Sequence, residues 1–123
     1  MTFRVVGIGA SAGGLDAISE LLGALPARSG LACIVVQHLD PHHESRLPEI
    51  LARTVSVPVT APVAGELLQA DHVYVIPPNV TLTVADKRFH LEKRPAFERH
   101  LPVDALLKSL AVDYAGDAIG VIL

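Results

Sequence analysis

Val6-Gly7-Ile8-Gly9-Ala10-Ser11-Ala12-Gly13-Gly14 is the stretch on which the reading of this 123-residue chain depends. It follows the apolar run from Phe3 and precedes a segment whose apolar residues, Leu15, Ile18, Leu21, Leu22 and Leu25, recur at helical spacing. A strand therefore feeds a glycine-rich turn, and the turn feeds a helix, with one hydroxyl, Ser11, at the corner. Gly9-Ala10-Ser11-Ala12-Gly13 fits a G-x-S-x-G nucleophile elbow, in which small neighbours let the backbone turn sharply and hold a serine Oγ clear of the sheet. Gly7-x-Gly9 equally fits the opening of a phosphate-cradling loop at a helix N-terminus.

Working outward, residues Phe3 to Ile8 read as a buried strand, and Pro26 with Gly30 marks the exit of the first helix. Leu31 to Val36 is apolar without alternation, as expected of a central parallel strand covered on both faces. It delivers Gln37, His38, Leu39 and Asp40 at its carboxyl end, the same sheet edge as Ser11, where ligands and chemistry collect in open parallel sheets. Glu44 to Thr54, with Leu47, Ile50 and Leu51 on one face, predicts a second helix. Val57 to Val63, broken by prolines, predicts an edge strand.

His72 to Ile76 predicts another strand, stopped by Pro77-Pro78. Val80 to Val84 and Phe89 to Leu91 alternate around Ala85-Asp86-Lys87-Arg88, the pattern of an antiparallel hairpin, read as an appendage to the sheet. Arg94 to His100 reads as a loop. A third helix starts at Pro102 with Val103, Leu106, Leu107, Leu110 and Tyr114 on one stripe and ends at Gly116, and Ala118 to Leu123 predicts a buried strand. The whole is a single α/β domain: three layers, doubly wound, with a mainly parallel sheet and an antiparallel hairpin.

Composition agrees. Apolar residues make up 50% and aromatics only 4%, so the core must be built from Val, Ile, Leu and Ala. A net charge of −3 provides no basic footprint for nucleic acid. Cys33, the one cysteine, falls inside a strand and reads as a buried, inert thiol in a reducing compartment. No signal-peptide pattern or membrane-length apolar run occurs, which predicts a cytoplasmic protein with no membrane insertion.

The chemistry turns on Ser11 and His38. A serine hydroxyl is inert without a base, and histidine is the side chain best suited to take its proton near neutral pH. The bland alternative is a strand-capping histidine beside a turn that is small for steric reasons. A dinucleotide site needs an acid at the end of the second strand, where Gln37-His38 stands instead, and a Walker A loop lacks its Gly-Lys-Ser/Thr. His38, Asp40, His42, His43 and Glu44 cluster, but adjacent His42 and His43 point differently on a helix and no distant ligand pair exists; no metal and no cofactor are expected. Asp104, in the first turn of the third helix, reads as a partner of the helix dipole. Arg88, Lys93, Arg94 and Arg99 read as a solvated face.

Taken together, Val6 to Gly14, Val35-Val36-Gln37-His38-Leu39, Val73-Tyr74-Val75-Ile76-Pro77-Pro78, and Leu101-Pro102-Val103-Asp104 leading to Gly120-Val121-Ile122-Leu123 resemble the catalytic domain of chemotaxis protein-glutamate methylesterases, the CheB family. They follow the family's order and spacing along the whole chain, and look closest to modules fused to methyltransferase and sensor domains. The resemblance implies Ser11 as nucleophile and His38 as general base of a Ser-His-Asp esterase, with the backbone N–H of Ala12, and Gly13 beside it in the turn, serving the oxyanion. Its substrate would be glutamate methyl esters on chemoreceptors. Ala12 stands where the family often has Thr. The family's triad aspartate falls in a loop after the strand matching Gly120 to Leu123, so the chain reads as a C-terminally truncated, nearly inactive piece whose last strand exposes apolar surface and favours homo-oligomers. Asp104, Asp113 and Asp117 match other positions. The alternatives are a non-catalytic sensory or interaction module with the same fold and, more distantly, a dinucleotide-binding module.

Overall fold

The computed structural model describes residues 3–11, 13–37, 46–93 and 102–123. A five-stranded sheet forms the centre, built from β1 (Arg4–Ala10), β2 (Leu31–Gln37), β3 (Val59–Thr60), β4 (His72–Val75) and, last in the chain, β7 (Ala118–Ile122). The spatial order is β3-β4-β2-β1-β7, and every pairing is parallel. The first strand is thus central, flanked by β2 on one side and by the C-terminal strand on the other.

Alternation along β1 divides its side chains between two cores. Val6, Ile8 and Ala10 join Cys33, Val35, Val73 and Val75 beneath α1 (Leu15–Gly23) and α2 (Leu47–Thr54), which contribute Ile18, Leu22, Leu47 and Leu51. Val5 faces the other way, with Ala32, Ile34, Val36 and Tyr74, toward α3 (Pro102–Tyr114) and the hairpin β5 (Val80–Ala85) and β6 (Arg88–Lys93). On that second face β1 presents Gly7 and Gly9, and α3 rests directly on them. A Cβ at Gly7 would lie 2.7 Å from Leu107 Cδ2, and one at Gly9 would lie 2.6 Å from Val103 Cγ1. The bare strand is what lets the helix come this close.

The three-layer α/β architecture with its hairpin is as the sequence predicts, and four details differ. Gly7 to Ala10 belong to the strand, so the turn is confined to residues 11–14. The proline-flanked segment keeps only Val59 and Thr60 as strand, at the predicted edge, because a residue without an N–H cannot extend the ladder. The hairpin is a wall of the core: Leu82, Val84 and Phe89 are buried against α3 and Tyr74, and Tyr74 meets the Phe89 ring edge-on at 4.7 Å. The final strand is not buried as its apolar run suggests, but exposes apolar surface as the family resemblance implies: its residues are half-buried or exposed, and among the described residues one side of β7 pairs with β1 and the other has no strand neighbour.

Helix boundaries shift as well. The first helix closes at Gly23, before Pro26, where α2 approaches closely enough that a Cβ on Gly23 would lie 3.1 Å from Thr54 Cγ2. The third helix stops at Tyr114 and passes through a 3-10 turn, Ala115–Asp117, with Ala115 at φ 48° rather than at Gly116. Residues 44–45 of the expected second helix and the loop at 94–100 lie outside the described residues.

Candidate active site

β1 neighbours β2 on one side and β7 on the other, and α1, which joins β1 to β2, lies on the opposite face of the sheet from α3, which leads into β7. Such a reversal is a topological switch point, and the crevice beyond the carboxyl ends of the strands there is where open α/β sheets bind ligands. Ser11 leaves β1 at that place and is exposed. Its carbonyl accepts a hydrogen bond from the Gly14 N–H at 2.9 Å, closing a tight turn. The Gly14 carbonyl then accepts the Ile18 N–H and opens α1, which carries Asp16 in its first turn.

The steric demand of this turn falls on Gly14 rather than on the G-x-S-x-G glycine. A Cβ on Gly14 would lie 2.9 Å from Ala10 Cβ and 3.2 Å from the Ser11 carbonyl oxygen, whereas one on Gly13 would meet nothing within 4 Å. Gly13 is exposed and leaves the space over the turn open. The amides of Gly7 and Gly9 lie in ladders with β2 and β7, so they form no phosphate cradle. That arrangement removes the structural basis of the dinucleotide reading.

Gln37, the last residue of β2, stands in register with Ala10, and its Nε2–H donates to the Ser11 carbonyl at 3.3 Å. His38 and Ala12 lie outside the described residues, as do Asp40, His42, His43 and Glu44. The contact of Val103 with the Gly9 position places the first turn of α3 at the same sheet edge as Ser11, with Asp104 exposed on it. Asp113 has a different task at the far end of α3. Its two carboxylate oxygens accept the backbone N–H groups of Asp86 and Lys87 at 3.1 and 2.9 Å, holding the hairpin turn.

Among the described residues no cluster of His, Cys, Asp or Glu is arranged to hold a metal. No helix among them is long and apolar enough to cross a membrane. Burial pushes the Cys33 thiol up to about 11, which keeps it protonated and unreactive, as the sequence predicts. A shallow cleft open to solvent, lined in part by Leu25, Leu31, Cys33, Val57, Asp71 and His72, lies where β2 and β4 begin, at the opposite edge from Ser11. The tie from Gln37 to the serine turn is the site feature that reading the sequence missed; the one signal for it was that Gln37 immediately precedes His38 at the end of the second strand.

Comparison with known proteins bears on the same segments. The CheB methylesterase family profile matches residues 6–123. A protein-glutamate methylesterase/protein-glutamine glutaminase 2 of Cupriavidus metallidurans is 37% identical over 122 residues, which are 98% of this chain and 36% of that protein. Its namesake in Vibrio vulnificus is 36% identical, again over 98% of this chain and 36% of the relative. The chain therefore spans about a third of the length of these relatives (36%). The crystal structure of the Thermotoga maritima CheB methylesterase catalytic domain superposes with a TM-score of 0.84 at 28% identity, covering 99% of this chain and 67% of that one.

Proposed function

The chain belongs to the CheB methylesterase family, and from that premise we propose that it carries the nucleophile, Ser11, and the general base, His38, of a protein-glutamate methylesterase. The observation behind the proposal is the placement of an exposed serine on a tight turn at the carboxyl end of the central strand, at the switch point of the sheet. His38 follows directly after Gln37, the residue already bonded to the serine turn.

In the proposed reaction His38 takes the Ser11 hydroxyl proton as Oγ attacks the carbonyl carbon of a glutamate γ-methyl ester. Backbone N–H groups of the turn, at Ala12 and Gly13, stabilise the oxyanion of the tetrahedral intermediate. Collapse breaks the ester C–O bond, His38 returns the proton to the departing methoxide, and methanol leaves a glutamyl-serine ester. Water, deprotonated by His38, then attacks that ester and releases the glutamate carboxylate with Ser11 restored. The relatives' names pair methylesterase with glutaminase. The same acyl-enzyme is reached from a glutamine side chain with ammonia as the leaving group, so both reactions fall to one site.

The proposed substrate is a methylated chemoreceptor or receptor-like protein. Asp113 is committed to the hairpin and is assigned no part. Loss of the acid that fixes the histidine tautomer costs about 10⁴ in the triad template. Methanol release from a methylated receptor fragment tests the proposal, comparing this chain, a version extended to match the length of the Thermotoga catalytic domain, and the extended version with Ser11→Ala. Release by the extended chain that Ser11→Ala abolishes supports the reading. A well-folded extended chain that releases none overturns it in favour of a non-catalytic module.

A further inference from the structure

We propose that Gln37 is a positioning residue for the chemistry at Ser11, its side-chain amide holding the nucleophile's backbone in place from the neighbouring strand; the inference rests on the reading of Ser11 as nucleophile. The ladder between β1 and β2 ends at the pair Ala10 and Gln37. Ser11 sits one residue past that pair. The Gln37 amide carries the tie between the strands one residue beyond the ladder by donating to the Ser11 carbonyl at 3.3 Å.

That carbonyl is doubly held. It takes one N–H from Gly14 within its own turn and one from Gln37 across the strands, which matches the two lone pairs of a carbonyl oxygen. Ladder bonds at Ala10 fix the chain just before Ser11, and the two donors fix it just after. With the backbone set on both sides, rotation about χ1 is the main freedom left to Oγ. Gly14 alone would close the turn without relating it to β2. Gln37 relates it, and Gln37 is bonded to the residue proposed as base, so one side chain sets the nucleophile against the strand end from which that base departs.

The side-chain chemistry is specific. Asparagine is one methylene shorter and would not reach, and an ionised glutamate would face the carbonyl with an acceptor instead of a donor. Methionine keeps the length of the side chain and loses the amide. Small errors in the placement of a reacting group are costly, up to about 10²-fold for 1 Å, whereas one exposed hydrogen bond contributes little to global stability.

The test uses the chain extended to match the length of the Thermotoga catalytic domain and a fluorophosphonate probe. Ser11 Oγ forms a bond to phosphorus, fluoride leaves, and the hydroxyl proton passes to the base. Labelling at Ser11, located by peptide mass, is followed to saturation for the unaltered chain, Gln37→Met, Gln37→Asn and Ser11→Ala, with melting temperatures measured in parallel. Both Gln37 variants are expected to lower the maximal labelling rate about tenfold, with half-saturating probe concentration, acid limb of the pH profile and melting temperature unchanged, because no charge and little stability is removed. Labelling of Gln37→Met at the unaltered rate overturns the inference and leaves Ser11 standing. So does a rate loss that merely follows a lowered melting temperature. Failure of the unaltered chain to label at Ser11 overturns the nucleophile reading itself and this inference with it.

Discussion

Ala115 ends α3 in the left-handed region, at φ 48°, although Gly116 follows it directly. A Cβ in that conformation costs about 1–2 kcal/mol, part of which a glycine gives back through its freer unfolded chain. Ala115→Gly is therefore expected to raise stability by a few tenths to about 1 kcal/mol, measured by urea denaturation. His72 carries a pH dependence. Its Nε2 lies 2.7 Å from Thr60 Oγ1 and its ring stacks on Tyr74, while desolvation lowers its pKa from 6.5 against an opposing pull from Glu66. A base whose folded pKa is depressed binds its proton more readily when unfolded. The stability it contributes is full above pH 6.5 and is lost as the pH falls through the lowered folded value. Melting temperatures between pH 7.5 and 5 should fall more steeply for the unaltered chain than for His72→Gln. Cys33 is expected to resist iodoacetamide at neutral pH and to react once the chain is unfolded, since burial holds its thiol at about 11. At this scale the place of Ser11 at a strand-to-helix turn was legible from its glycine-rich neighbourhood. Gln37 was not, because a hydrogen bond across two strand ends depends on a register that no local pattern encodes.

Among elements, α3 is the one whose placement the rest depends on, and its seat is the row Gly7, Gly9 and Gly120. Gly9→Ala would drive a methyl group against Val103, a stiff β-branched side chain, and is expected to destabilise by about 1–3 kcal/mol; trimming Val103 to Ala in the same chain should recover part of that loss in a double-mutant cycle. The hairpin hangs on Asp113 at the other end of the helix. Its turn residues Asp86 and Lys87 both have positive φ, 53° and 63°, the backbone of a type I′ turn, with neither of the usual Asn-Gly residues. The Asp113 carboxylate offsets this by accepting both N–H groups, and Lys87 extends Nζ to the Asp113 carbonyl and over the Tyr114 ring. Asp113→Ala should cost about 1.5–3 kcal/mol by denaturation, and Asp113→Asn, which keeps one acceptor, less. The sequence pattern located the hairpin but read it as an appendage, because alternation shows that one face is apolar without showing what covers it. The same limit applied to Gly7 and Gly9: the loss of two side chains from one strand face is visible as glycine, and its reason arrives nearly a hundred residues later.

For the molecule as a whole, the apolar runs were enough to reveal a parallel sheet, since strands covered on both faces carry no alternation and these do not alternate. The apolar run alone read β7 as buried, because an edge strand and a central one can share a sequence as apolar as Ala118 to Ile122; its exposure followed only from the family resemblance. Ile119 and Leu123 are each 40% exposed and Ile122 is 68% exposed, beside a strand edge with no charged or proline residue to blunt it. Such edges recruit further strands. Concentration-dependent association is expected in analytical ultracentrifugation, and Ile122→Lys should reduce it.

The central position of β1 also orders events in time. Its neighbour β2 follows it closely in sequence, whereas its other neighbour, β7, and the helix that rests on its glycines come much later. A chain emerging from the ribosome can therefore pair β1 with β2 early, but it cannot enclose the second face of β1 until α3 and β7 have been synthesised. Contacts of such long sequence separation slow folding. The serine turn should thus acquire its hydrogen-exchange protection in the slowest phase of refolding, together with the C-terminal strand and well after α1.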